Sequence, residues 1–290
     1  MATVAAGISL ATALGVPLGT LAGGALGWRA AFVAVAALGT VATVGLVILL
    51  RPIPASPAAD LRARLAIARA PGVPTGLALT VLWIAGAFTV LIYINPVLDG
   101  LGGIQGPALS IWLLVFGVAA VAGNTLGGRA VDRYHATRPA VISTAGLAVA
   151  LAGFGALASL GVGGTAGAAA CAVILAVWGV FGWSFLPIQQ ARLVDLTPEH
   201  AGIVLSLNAS ATHLGISLGG LAGSVALSSG GITAVGWAAA AIELCAVLAA
   251  SAIARPRRPR THHPAVHPTT TAADQGDTRF HAHDGDAPRV

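Results

Sequence analysis

Glu243 is the one acidic residue inside a long apolar run, and it falls near the middle of that run. An ionised carboxylate at the centre of a bilayer costs about 3 kcal/mol on insertion scales. Such a group is protonated, paired, or facing water. It suits proton coupling or contact with a cationic substrate; the plainer role is a protonated Glu bonded to a neighbouring helix. His213 is likewise mid-run, and an imidazole at that depth could relay protons with Glu243. A neutral histidine bonded between helices is the reading with more weight. Asn208, Asn95 and Asn124 are candidates for lining a cavity, although Asn95-Pro96 also reads as a helix end; Gln189 and Gln190 are further polar groups near the spans. Trp83, Trp112, Trp178 and Trp183 read as lipid-belt or packing residues rather than substrate stackers. No nucleophile or metal-ligand triad accompanies Glu243 and His213, so an intramembrane enzyme using them is the least supported reading, and neither a metal nor a cofactor is called for. Cys171 and Cys245 both lie in apolar runs and read as small packing residues.

The elements that must position these groups follow from composition. Of 290 residues, 56% are apolar and only 9% charged, against roughly 25% charged in soluble domains. The chain is therefore an all-α polytopic membrane protein in contact with the lipid bilayer. All fifteen basic residues are arginine and are spread over loops and the tail, so the net charge of +5 gives no nucleic-acid signal. Apolar runs predict eight spans: Val4 to Ala25, Ala30 to Leu50, Thr75 to Val97, Pro107 to Gly128, Pro139 to Leu160, Ala166 to Pro187, Gly202 to Ala226 and Gly231 to Ala254. A surface helix is expected around Asp60 to Arg69, and the His-, Pro- and Thr-rich stretch from Arg255 reads as a disordered cytoplasmic tail. Fourteen of the fifteen arginines fall in even-numbered connections and the tail. That bias puts both termini in the cytoplasm of a multi-pass cell-membrane protein.

Residues Ala11 to Gly23 read ATALGVPLGTLAG, and residues Ala211 to Gly223 read ATHLGISLGGLAG, nine of thirteen being identical. Gly15, Gly19 and Gly23, like Gly215, Gly219 and Gly223, recur every four residues, which opens a smooth groove where another backbone approaches closely. Gly27-Trp28 follows the first copy and Gly236-Trp237 the second. A helix pair therefore recurs with a period of six helices and in the same orientation, a parallel repeat as found in secondary transporters. The expected organisation is residues 1–50 as the last two helices of an N-terminal half, 51–74 as a cytoplasmic central loop, 75–254 as a complete six-helix C-terminal half, and 255–290 as the tail. Four helices required by the symmetry would then precede Met1. A chain so placed would lack one wall of a central cavity, and proton-driven flux from the chain reconstituted alone would refute that expectation.

Gly123-Asn124-Thr125-Leu126-Gly127-Gly128-Arg129-Ala130-Val131-Asp132-Arg133 resembles the loop signature between the second and third helices of each half of the major facilitator superfamily. Gly15, Pro17, Gly19 and Gly23 resemble the antiporter motif of that family's fifth helix, with Val16 standing ahead of Pro17, and Gly27 to Phe32 resembles the opening of its sixth. The chain is thus similar to the twelve-helix drug:proton antiporter branch, over Val4 to Ala254. The resemblance implies efflux of a small organic molecule, drug-like or a sugar, coupled to protons by alternating access. In the loop, small residues let two helix ends close tightly, and an ion pair made by Arg129 and Asp132 would latch the inward-closed state; a plain topogenic loop is the alternative. Pro17 should kink the first span. A different class of function, a non-transporting membrane partner or scaffold, predicts copurification with a second membrane subunit.

Overall fold

The computed structural model describes residues 26–49, 60–134 and 136–254, with a few isolated positions before residue 26. The expected first span, Pro17 within it, and the tail from Arg255 lie outside the described residues. Every regular element among them is helical: α1 (Trp28–Leu49), α2 (Leu61–Ala68), α3 (Val73–Leu91), α4 (Ile94–Gly102), α5 (Gly106–Arg133), α6 (Thr137–Ser159), α7 (Gly164–Leu196), a 3₁₀ turn (Pro198–His200) and α8 (Ala201–Ala254). Among the described residues, six helices are long and apolar enough to cross a bilayer. One of them, α8, is two helices in continuity. Gly230 (φ −150°) and Gly231 (φ 63°) break it, at the connection that the sequence places around Ser228 to Gly230. The value at Gly231 lies in the left-handed region, where a Cβ clashes with the backbone and glycine does not.

Two expected boundaries move. The third span is not one continuous helix from Thr75 to Val97: it breaks at Ile92–Tyr93, and α4 begins at Ile94. Pro96 has no N–H to return to the Ile92 carbonyl, and Tyr93 OH instead reaches the Gly220 carbonyl at 3.1 Å. The sixth span does not end at Pro187. Helix α7 runs through that proline to Leu196, 33 residues in all. A proline inside a helix removes one hydrogen bond, a loss that neighbouring helices tolerate inside a membrane bundle.

The helices of the bundle meet at small residues, as expected where lipid is as apolar as leucine and apolar burial alone does not join helices. A Cβ placed on Gly215 would lie 2.9 Å from the Val81 carbonyl, on Gly219 2.6 Å from that of Ala85, and on Gly223 2.6 Å from that of Thr89. The groove expected along residues 201–229 is therefore filled by the backbone of α3. A second seam joins α5 to α7, where a Cβ on Gly123 would meet the Gly179 carbonyl at 2.7 Å and one on Gly127 the Cα of Ser184 at 2.8 Å. Residues 232–254 return along α3 and α6: Gly86 abuts Glu243, and Gly155 abuts Gly236. Leu147, Leu151, Phe154, Leu175 and Val235 fill the space between these seams. Helix α1 stands apart in character, since no part of its most apolar stretch is buried within the described chain.

Candidate functional site

Four helices of the bundle converge on a cleft of about 150 Å³. Helix α3 contributes Trp83, Ile84, Ala87, Phe88 and Leu91; α5 contributes Phe116; α7 contributes Trp178, Gly182, Trp183 and Leu186; α8 contributes Thr212. The apolar positions on α3 recur at three- and four-residue spacing, so they form one helical face. Aromatic packing fixes the walls. Trp83 stacks on Phe185 with ring centroids 4.5 Å apart, and Trp178 meets Phe116 edge-on at 5.1 Å. The Trp83 indole N–H is buried and bonds nothing among the described residues. Three of the four tryptophans taken as packing or lipid-belt residues therefore line the cleft; Trp112 instead donates its N–H to the Ala168 carbonyl at 3.1 Å.

A buried polar network ties the same helices together. Thr80 Oγ1 donates to Asn208 Oδ1 at 2.8 Å, and Gln189 Nε2 donates to Thr80 Oγ1 at 3.0 Å and to the Gly76 carbonyl at 2.6 Å. Arg192 Nη1 donates to Gln189 Oε1 at 3.3 Å. Asn208, Gln189 and Arg192 are each buried, at 5%, 1% and 8% exposure. The sequence marks Asn208 and Gln189 as polar groups, but Arg192 and Thr80 escape it, because ending α7 at Pro187 turns Arg192 into a loop arginine. The available signal is the spacing of Trp178, Gly182, Phe185, Gln189 and Arg192, which continues one buried face straight past the proline.

Glu243 is wholly buried, and neither carboxyl oxygen has a hydrogen-bond partner among the described residues. Its side chain is accommodated by the missing side chain of Gly86: a Cβ there would sit 2.6 Å from Glu243 Oε2. No hydrogen bond joins Glu243 to His213, the other expected member of a proton relay. His213 is exposed, and its Nδ1 lies 2.8 Å from the carbonyl of Ala209 on its own helix. A ring nitrogen facing a carbonyl donates, so this bond keeps the imidazole on its own helix. The Arg129–Asp132 ion pair is also absent: Arg129, Asp132 and Arg133 are exposed, and no ion pair joins them to one another or to another described residue. Gly123 and Gly127 make the close helix contact expected of the loop motif, whereas Gly128 faces open space. Asn124 is half-buried, and Asn95 is exposed in a separate polar recess with Asp99 and Gln105 at the other end of the bundle, so it does not line the cleft. Gly15 and Gly19, of the antiporter-like stripe, lie in helix with no described neighbour close to the Cβ position, and the same holds for Gly23.

Comparison with known proteins places this arrangement. A family model described as the Major Facilitator Superfamily matches residues 1–159 and, in an overlapping stretch, 77–279. The chain is 31% identical over 249 residues to the "Uncharacterized MFS-type transporter YbcL" of Bacillus subtilis, covering 86% of this chain and 62% of that protein. It is 31% identical over 231 residues to the "Inner membrane transport protein YdhP" of Escherichia coli K12, covering 79% and 57%. It is 29% identical over 245 residues to a "Probable sugar efflux transporter" of Mannheimia succiniciproducens, covering 84% and 60%. The chain thus spans about six-tenths of the length of these relatives.

Proposed function

Because this chain belongs to the Major Facilitator Superfamily, a family of transporters rather than enzymes, we propose that it serves in secondary transport across the cell membrane, exporting a small organic molecule, drug-like or a sugar, by alternating access. In this reading residues 75–254 form one six-helix half, residues 1–50 belong to the other half, residues 51–74 and the tail from 255 are cytoplasmic, and the loop motif at Gly123 to Arg133 closes the inward side. The observation that carries it is the aromatic cleft shared by α3, α5, α7 and α8. A concave, mostly apolar recess with few polar groups is what a small organic ligand needs. Efflux is the direction named for the Mannheimia relative, and the aromatic lining suits either a planar drug-like body or the C–H face of a sugar.

Protons are the proposed coupling ion and Glu243 their carrier. The cleft and Glu243 lie on two sides of one helix, since Trp83 and Ala87 line the cleft while Gly86 between them abuts the carboxyl. A ligand that displaces α3 changes the surroundings of Glu243, whose buried carboxyl has no hydrogen-bond partner among the described residues to hold it in one state. The chemistry is therefore an exchange: ligand in, proton out. His213, exposed on α8, is the second proposed proton group.

The test is proton release on binding. Purified chain in lightly buffered neutral detergent is titrated with a panel of drug-like compounds and sugars while an indicator dye follows pH. A binding compound should release up to one proton per chain, and Glu243→Gln should bind it without release. Binding that leaves the dye unchanged in the native chain refutes proton coupling; no binding by any compound refutes the cleft as a substrate site. The scaffold reading keeps one observation in its favour, the bare apolar surface of α1, and a stoichiometric second membrane subunit in mild-detergent purification would establish it.

A further inference from the structure

Helix α2 is poorly equipped to stand alone, and its packing accounts for only one of its faces. Eight residues are too few to hold a helix in water without a partner. Asp60 ahead of it makes no side-chain capping bond, and its first turn holds no acid. Ile67 anchors it, buried in a cluster with Val73, Leu193 and Val204. These are the first residue of α3, a residue one turn before the end of α7, and one near the start of α8. Residues 69–72 alone separate α2 from α3, and they form tight turns: the Ala70 N–H donates to the Ile67 carbonyl and the Val73 N–H to that of Ala70, each at 3.0 Å. Helix α2 is thereby held at the level where α3 enters its membrane span at Val73.

The side away from Ile67 is apolar along its middle and basic at its edges. Leu61 and Leu65, four apart, share a face, and they are 68% and 42% exposed. At 3.6 residues per turn, Arg62 and Arg69 fall along one flank of this leucine ridge and Arg64 along the other. All three arginines are exposed, and none forms an ion pair among the described residues. The end of the bundle that carries α2 is basic more widely. Helix α5 runs alongside α7 in the same direction through their glycine seam, so it finishes at this end with Arg129 and Arg133, and α6 begins there with Arg138, all exposed. Leucines between arginines are both satisfied at a bilayer border, where the apolar ridge enters the acyl region and the guanidinium groups reach the headgroups.

We propose that α2 is a membrane-surface anchor that binds anionic lipid: Leu61 and Leu65 enter the acyl border, and Arg62, Arg64 and Arg69 hold the phosphate oxygens of the headgroups. The planar fork of arginine matches a phosphate. Level and charge together favour lipid over a protein partner. The helix is tied to the entry of a membrane span, where headgroups surround the chain wherever it is inserted, and its three unopposed positive charges match a negative surface. The anchor goes beyond the transport reading and does not depend on it. It also has a mechanical consequence. Ile67 ties the anchor to the ends of α3, α7 and α8, three of the helices that shape the cleft, so the charge of the membrane bears on the helices around that recess.

The experiment uses the full-length chain with Cys171→Ala and Cys245→Ala and a bimane label on Leu61→Cys, which leaves Leu65 in place. It is reconstituted into nanodiscs of phosphatidylcholine alone or of an equal mixture with phosphatidylglycerol, each doped with a lipid that carries a nitroxide near the head of its acyl chain. A nanodisc offers the same lipids on both faces, so the outcome does not depend on which way the chain crosses. The nitroxide should quench the label about fivefold or more better in the mixed discs, the contribution of even one arginine at an anionic surface. Replacing Arg62, Arg64 and Arg69 together by Gln should remove that increment, and replacing them by Lys should keep most of it. Equal quenching in the two kinds of disc overturns the inference and leaves α2 as an interfacial helix indifferent to charge. A label shielded from the nitroxide in both overturns it too and gives the ridge to another segment or a protein. An increment that survives the triple Gln variant overturns it as well. The comparison of lipids with the arginines in place decides the matter even where the variant fails to fold.

Discussion

At the scale of single residues, the structure turns on what is left unmatched. Glu243 keeps both carboxyl oxygens unbonded among the described residues in a fully buried place, and that place exists because position 86 lacks a side chain. Gly86→Ala should therefore lower the thermal midpoint in detergent by an amount equivalent to about 1–3 kcal/mol, the usual cost of overpacking. Pairing it with Glu243→Ala should recover most of that loss, because the atoms that clash are removed. An unchanged midpoint for the single variant would show that α3 and residues 232–254 are further apart than described. Glu243 itself is legible in the sequence: one acid in a long apolar run is hard to overlook. Arg192 is not, because an arginine after a proline reads as a loop residue, and only tertiary packing carries the helix past Pro187. For a related reason no hydrogen bond joins His213 to Glu243 among the described residues: periodicity places both groups in the membrane without saying which way each helix is turned.

At the scale of elements, glycine spacing is the most informative signal in the chain. Stripes four residues apart predict a groove, and residues 201–229 use theirs to receive the backbone of α3. The requirement is local. Gly219→Ala would push a methyl to 2.6 Å from the Ala85 carbonyl and should destabilise the purified chain by about 1–3 kcal/mol. Gly128→Ala meets open space and should be neutral or stabilise by up to about 1 kcal/mol through helix propensity. Measured side by side in one detergent, the two should move apart; a common shift would mean that the seam is not as close as described. The loop motif divides the same way. Its glycines Gly123 and Gly127 pack α5 on α7, whereas its charges, Arg129 and Asp132, remain solvated in this state of the molecule. A glycine stripe announces that a backbone will come close, but an ion pair depends on rotamers and on the conformational state, and neither is written in residue spacing.

At the scale of the whole molecule, composition alone sets the class: 9% charged residues cannot clothe a soluble protein of this size. The direction in which the chain crosses the bilayer rests on where arginine falls, and it has a direct test. In a background carrying Cys171→Ala and Cys245→Ala, a single Leu160→Cys should react with a membrane-impermeant maleimide on intact cells, and a single Tyr134→Cys only after permeabilisation. Both side chains are exposed, so accessibility does not confound the comparison, and the reverse pattern would invert the topology. One arrangement reaches further than any of these. Helix α3 is the partition between the aromatic recess and the buried carboxyl, and a partition has two faces but one position. Any substitution that reshapes the recess for a new cargo also shifts the chamber behind it. Under the proposed function, cargo range and ion stoichiometry would therefore not be independent traits: variants selected for a bulkier cargo should emerge leaky to protons, and their second-site suppressors should cluster on the far side of the same helix.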